Sequence, residues 1–63
     1  MTRTYRIVEI LDDAVIVKHI DDDKTEKLTG IRIPKFAQVG DLIRRCEHNF
    51  YDVIDENGDL VYR

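Results

Sequence analysis

The chain has no tryptophan, one cysteine, one proline, one methionine and three glycines in 63 residues. A lone cysteine, Cys46, excludes an internal disulfide and fits a reducing compartment. No apolar run approaches the ~20 residues of a membrane-spanning helix. Strand-like alternation starts directly after Met1-Thr2-Arg3-Thr4, which leaves no room for a secretory h-region. The expectation is a cytoplasmic protein without a membrane segment. Excess positive charge is also missing. Ten Lys and Arg against thirteen Asp and Glu give a net charge of −3, the wrong sign for a chain dedicated to neutralising phosphates. No helical repeat of apolar positions persists over about ten residues.

What remains is a series of short β-branched runs in one small domain spanning residues 1–63. Hydrophobic residues make up 43% and charged ones 37%, with both signs mixed, which describes a soluble surface around a core rather than disorder. A domain of this size buries only about 60% of its unfolded surface, so nearly every apolar side chain is needed, in the core or against a partner.

The stretch Ile31 to Ile43 divides the chain, because it holds the only proline and breaks the strand pattern. Before it, Tyr5–Leu11 and Ala14–Asp21 read as strands around Asp12-Asp13. A two-residue loop there pairs Ile10 with Val15, Val8 with Val17 and Arg6 with His19, placing Val8, Ile10, Val15 and Val17 on a core face. A second turn at Asp22-Asp23 sets His19 opposite Glu26 and Val17 opposite Leu28, and sets Lys18 against Lys27, a like-charge pair that counts against this register. Pro34 cannot donate to a central ladder, so residues 34–38 leave the sheet with at most one short 3₁₀ turn. Val39-Gly40-Asp41 turns into a strand over Leu42–Glu47. Asn57-Gly58 then predicts a type I′ hairpin, with Asp55 opposite Leu60, Ile54 opposite Val61, Val53 opposite Tyr62 and Asp52 opposite Arg63. The fold class is therefore all-β: a small SH3-like or OB-like barrel of five to six short antiparallel strands, closed or nearly so.

Motifs with chemical content are few. Asp55-Glu56-Asn57-Gly58-Asp59 has the alternating oxygens of a calcium loop. It lacks glycine at the sixth position and glutamate at the twelfth, so a hairpin turn with acidic shoulders is the better reading. Cys46, His48 and His19 are the only soft ligands or nucleophile–base candidates, and three such residues make neither a structural zinc site nor a complete catalytic set. Cys46 reads as a small buried side chain. The acidic tips at Asp12-Asp13, Asp21–Asp23, Asp55-Glu56 and Asp59 read as solvated loops, interrupted as they are by Lys24 and Lys27. No catalytic residue, metal, cofactor or small-molecule substrate is inferred.

Two surfaces stand out. Apolar residues on both sides of the closing hairpin leave a face around Phe36, Tyr51, Ile54 and Val61 for a protein partner or a second copy. Arg32, Lys35, Arg44 and Arg45 gather in the middle of the chain near aromatics, as a nucleic-acid face requires, although Arg44 and Arg45 alternate across a strand. The leading expectation is a non-enzymatic protein-interaction module, accessory or inhibitory. The alternative is a nucleic-acid-binding barrel.

The hairpin Tyr5–Asp21, the bridge Ile33-Pro34 and the turn Val39-Gly40-Asp41-Leu42-Ile43 resemble those of small bacterial SH3-like or OB-like barrels. That resemblance implies a binding module without enzymatic activity. The run Ile31-Arg32-Ile33-Pro34-Lys35, followed by Gly40-Asp41 and a final hairpin, is similar to swapped-hairpin domains of the AbrB/MazE type, which act as DNA-binding dimers. Only Phe36-Ala37-Gln38 stand where those domains carry a short helix, and a complete hairpin precedes the motif.

Overall fold

Residues 4–62 are described by a computed structural model of the chain. The strands are β1 (Thr4–Ile10), β2 (Ala14–His19), β3 (Thr25–Thr29), β4 (Leu42–Arg45) and β5 (Tyr51–Ile54). They form one antiparallel sheet in the order β3-β2-β1-β4-β5. The all-β class is as expected and the five strands lie within the expected five to six, but the sheet does not close. Its β5 edge is covered instead by two isolated bridges, Arg32 to Phe50 and Ile54 to Leu60. Around the first, Arg32 N donates to Asn49 O and Tyr51 N donates to Arg32 O, so the chain leaving β3 lies against the start of β5. Among the described residues no helix is present, hence none long and apolar enough to cross a membrane.

The first hairpin corrects the expected register. Ile10 does oppose Val15, and Leu11 N donates to Ala14 O at the tip. Between Ile7 and Glu9 the ladder shifts, so Ile7 and not Val8 opposes Val17, while Arg6 opposes Lys18 and Tyr5 opposes His19. Val8 is the extra residue of a β-bulge and stands 43% exposed, whereas Ile7 is 1% exposed. The physical reason is Arg6. An unbroken ladder would turn Arg6 inward along with Val8, burying a guanidinium without a partner. The bulge returns Tyr5 and Ile7 to the core and sends Arg6 outward.

The second hairpin is displaced by two residues, which preserves which face each side chain takes. A four-residue loop, closed by His19 N donating to Lys24 O, sets Val17 opposite Glu26 and Val15 opposite Leu28. Lys18 now faces Thr25 and Lys27 faces Ile16, so the expected Lys18–Lys27 repulsion does not arise. The expected His19–Glu26 contact survives as a side-chain bond of 2.7 Å across the diagonal.

Ala37 N donates to Pro34 O, a single turn without a 3₁₀ helix, and Asp41 N donates to Gln38 O in the next. Gly40, at φ 96°, delivers its N–H to Ile7 O, and this seats the start of β4 beside β1. The loop of the last hairpin is one residue longer than the sequence predicts, and the register shifts by one. Asp55 N donates to Asp59 O and Gly58 N donates to Asp55 O, leaving Glu56-Asn57-Gly58 as a three-residue loop. Only Gly58 takes positive φ there, 87°, so the turn is not type I′ but the type I turn with a left-handed glycine. Ile54 therefore pairs with Leu60, and Val61 N reaches Val53 O. Expected strand residues from Asp59 onward contribute one bridge, and the expected Asp52–Arg63 pair lies outside the described residues.

The core gathers Tyr5, Ile7, Val15, Val17, Leu28, Ile43, Tyr51 and Val53, with Ile31, Ile33, Phe36, Ala37 and Val61 packed against it. One side chain of Val, Ile or Leu buried here contributes about 1.5–3 kcal/mol. Tyr5 stacks edge-on to His19 at 4.8 Å and lies tilted against Tyr51 at 6.1 Å.

Candidate functional site: the outer face of the sheet

Alternation and register together define what the sheet's other side carries. One row runs across all five strands as Thr25–Lys18–Arg6–Leu42–Ile54. Beside it run Thr4–Arg44–Asp52 and Lys27–Ile16–Glu9. The cations Arg6, Lys18, Lys27 and Arg44 thus share this face with only two strand acids, Glu9 and Asp52. Glu26 lies on the core side, and every other acid of the chain sits in a turn or loop. A protein of net charge −3 has segregated its charge into a cationic sheet face and acidic loops.

Arg6 and Lys18 are direct cross-strand neighbours, a like-charge pair of the destabilising kind. Arg6 Nη1 donates to the neutral Gly40 carbonyl at 2.8 Å, and Lys18 Nζ lies 3.6 Å from the exposed Asp23 carboxylate. Beside Arg6 is a groove of about 460 Å³. Ile20, Leu42 and Ile54 supply its apolar lining, Arg6 lines it on one side, and the turn carrying Asp55 and Glu56 lines the other. Asp55 Oδ1 is committed to the N–H groups of Asn57 and Asp59, which holds that turn in shape.

The residues singled out from sequence fall elsewhere. Tyr51 and Ile54 are buried at 7% and 6% exposure, and Phe36 and Val61 are half-buried against the core, so these four do not form the expected exposed face. The one-residue shift of the last hairpin is the cause for Val61, which turns to the core side with Val53. Ile54 lines the outer groove. Of the four cations, Arg32 and Arg44 reach the outer face. The Arg32 guanidinium lies over the Phe50 ring, 5.7 Å from its centroid, with Phe50 half exposed. Arg44 opposes Asp52 and points Nη1 at Gly58 O, 3.3 Å away. Arg45 takes the opposite side, opposes Tyr51, and donates Nε to His48 O at 2.7 Å. Lys35 is exposed in the Pro34–Ala37 turn. The four therefore do not make one patch. Arg6, Lys18 and Lys27 were missed because each looks isolated in sequence; only the pairing of three strands brings them together.

Cys46 is exposed, not buried, and lies just past the end of β4. Its Sγ donates to Asp52 Oδ2 at 2.6 Å. That hydrogen bond, with some desolvation and the charge of Asp52, raises the thiol pKa above its ordinary value. The thiolate is the reactive form. Asp52→Asn should therefore speed alkylation of Cys46 by iodoacetamide at pH 8, by a few-fold; an unchanged rate would refute the hydrogen bond's control of the thiol. Burial likewise raises the pKa of Tyr51, with the neighbouring Tyr5 adding to it. Among the described residues no group of three His, Cys, Asp or Glu side chains is placed to hold a metal ion.

No protein-family model matches this chain, and no curated protein or solved structure shows significant similarity to it.

Proposed function

We propose that this protein is a non-enzymatic binding module that engages a protein partner through the outer face of its sheet. The observation that carries this reading is the Arg6–Lys18 pair, two cations set directly opposite each other, with Arg6 lining an apolar groove, in a protein that is acidic overall. Like charges directly opposite each other weaken a sheet; the exposed Lys18–Asp23 pair offsets this only weakly, and a partner group of opposite sign relieves it further. The exposed apolar side chains of Ile20 and Leu60 extend the same surface toward the closing hairpin.

A second reading, single-stranded nucleic acid, is favoured by one observation: Arg32 over the half-exposed Phe50 on the face that also carries Arg44. Cations beside an exposed ring suit a strand whose bases stack and whose phosphates pair.

One experiment separates the two. The tagged wild type and a Lys18→Glu variant are used to capture material from lysate, with and without nuclease. A protein retained by the wild type after nuclease, and lost with Lys18→Glu, is the expected outcome. Material that vanishes with nuclease, and whose binding falls steeply between about 50 and 200 mM salt, would replace it with the nucleic-acid reading.

A further inference from the structure

We infer that the partner segment seated on this face is extended and carries an acidic residue three positions before an apolar one. This inference rests on the protein-binding reading above and specifies its ligand. The carboxylate sits between Arg6 and Lys18, and the apolar side chain enters the groove over Leu42 and Ile54.

The spacing follows from the register. Lys18, Arg6, Leu42 and Ile54 stand on four consecutive strands in one row. Adjacent strands are about 4.8 Å apart, so the midpoint of the cation pair lies two spacings, roughly 9.6 Å, from the midpoint of Leu42 and Ile54. A polyproline-II segment rises about 3.1 Å per residue and brings residues i and i+3 to the same side, about 9.3 Å apart. A β-strand would point those two side chains in opposite directions. The row therefore fits a polyproline-like segment crossing the strands. It does not suit a sixth strand added to the β3 edge.

Charge sets the direction and the flanks. Arg6 keeps guanidinium donors beyond the one given to Gly40 O, and a carboxylate accepts such donors in a fork. The competing acids near the pair are few. Asp23 forms with Lys18 a 3.6 Å ion pair of the weak, solvent-exposed kind, and Glu9 pairs in the next row with Ile16. On the far side of the groove Asp55 and Glu56 disfavour a second acid and favour a cation after the apolar residue. The sheet also avoids one like-charge contact, Lys18–Lys27, through its β2–β3 register, yet retains Arg6–Lys18.

The test is an NMR titration of the ¹⁵N-labelled full chain with two synthetic peptides. One contains Glu-Pro-Pro-Leu-Lys, and the other exchanges its charges as Lys-Pro-Pro-Leu-Glu. The first should bind about tenfold more tightly than the second, with shifts concentrated at Arg6, Lys18, Leu42 and Ile54. Lys18→Glu should remove that preference while the spectrum stays folded, and Lys18→Gln should weaken it in the same direction. Equal binding of both peptides, shifts centred elsewhere, or an undiminished preference in Lys18→Glu would overturn the proposal. Failure of both peptides, alongside a Lys18-dependent protein captured from lysate, would overturn this ligand and leave the sheet-face reading intact. Binding of a thymidine 15-mer in place of either peptide would overturn both.

Discussion

Ile43→Ala should lower the melting temperature by at least about 8 °C and leave much of the protein unfolded at 37 °C. Ile43 is fully buried, with Tyr5 opposite it on β1 and Val53 opposite it on β5. Truncating a core isoleucine costs about 2–5 kcal/mol, the lost transfer energy plus the cavity left behind. Marginal stability of roughly 0.05–0.15 kcal/mol per residue gives a chain of this length only about 3–9 kcal/mol in total. For domains of about 60–100 residues each kcal/mol moves the midpoint by roughly 4–8 °C. Ile43 also joins the two halves of the sheet, because β4 alone connects β1 to β5. Circular dichroism melts of the two proteins give the answer. A shift below about 4 °C would mean that the β1–β4–β5 packing is not as described.

A glutamate scan across the β1 bulge should give opposite results at adjacent positions. Ile7→Glu places a carboxylate in the core opposite Val17 and should abolish folding, since an unpaired buried charge costs several kcal/mol even after relaxation. Val8→Glu adds the same charge on the exposed bulge residue and should change stability by no more than about 0.5 kcal/mol. An unbroken hairpin ladder requires the reverse, with Val8 in the core and Ile7 outside. Urea unfolding of the two variants decides between the registers. If Val8→Glu unfolds the chain and Ile7→Glu does not, the bulge is wrong, and the outer row containing Arg6 falls with it.

That dependence marks how far local patterning could be read. The Val- and Ile-rich runs, the breaks at Asp12-Asp13 and Pro34, and the turn at Gly40 all correspond to real elements, because each is governed by residues within a few positions. The bulge left a trace as well. Tyr5, Ile7 and Ile10 break period two between positions 7 and 10, with Arg6 and Glu9 as the polar partners. What obscured it was the assumption that a ladder pairing Ile10 with Val15 continues unbroken. At the closing turn the Asn-Gly pair suggested a two-residue loop. The Asp55 carboxylate accepting from Asn57 and Asp59 accompanies the three-residue alternative and turns Val61 toward the core.

The candidate site was less legible than the fold. Sequence places Phe36, Tyr51, Ile54 and Val61 on a surface, because a small barrel has one dry side and the strands carry apolar residues on both faces. The unclosed sheet uses them: Tyr51 in the core, Phe36 and Val61 against it, and Ile54 beneath the outer groove. Arg44 and Arg45 were separable from sequence alone, since neighbours in a strand point to opposite faces.

Composition and local pattern by themselves determined that this chain is all-β, about where its turns fall, and that adjacent strand residues such as Arg44 and Arg45 take opposite faces. Only the tertiary structure decided that Ile7 and not Val8 is core, that Lys18 escapes Lys27 but meets Arg6, and that the cations of three strands form one surface. The reason is that side-chain alternation is a property of one strand, whereas register is a property of two. It is chosen by burial and charge summed over residues that lie far apart in the chain.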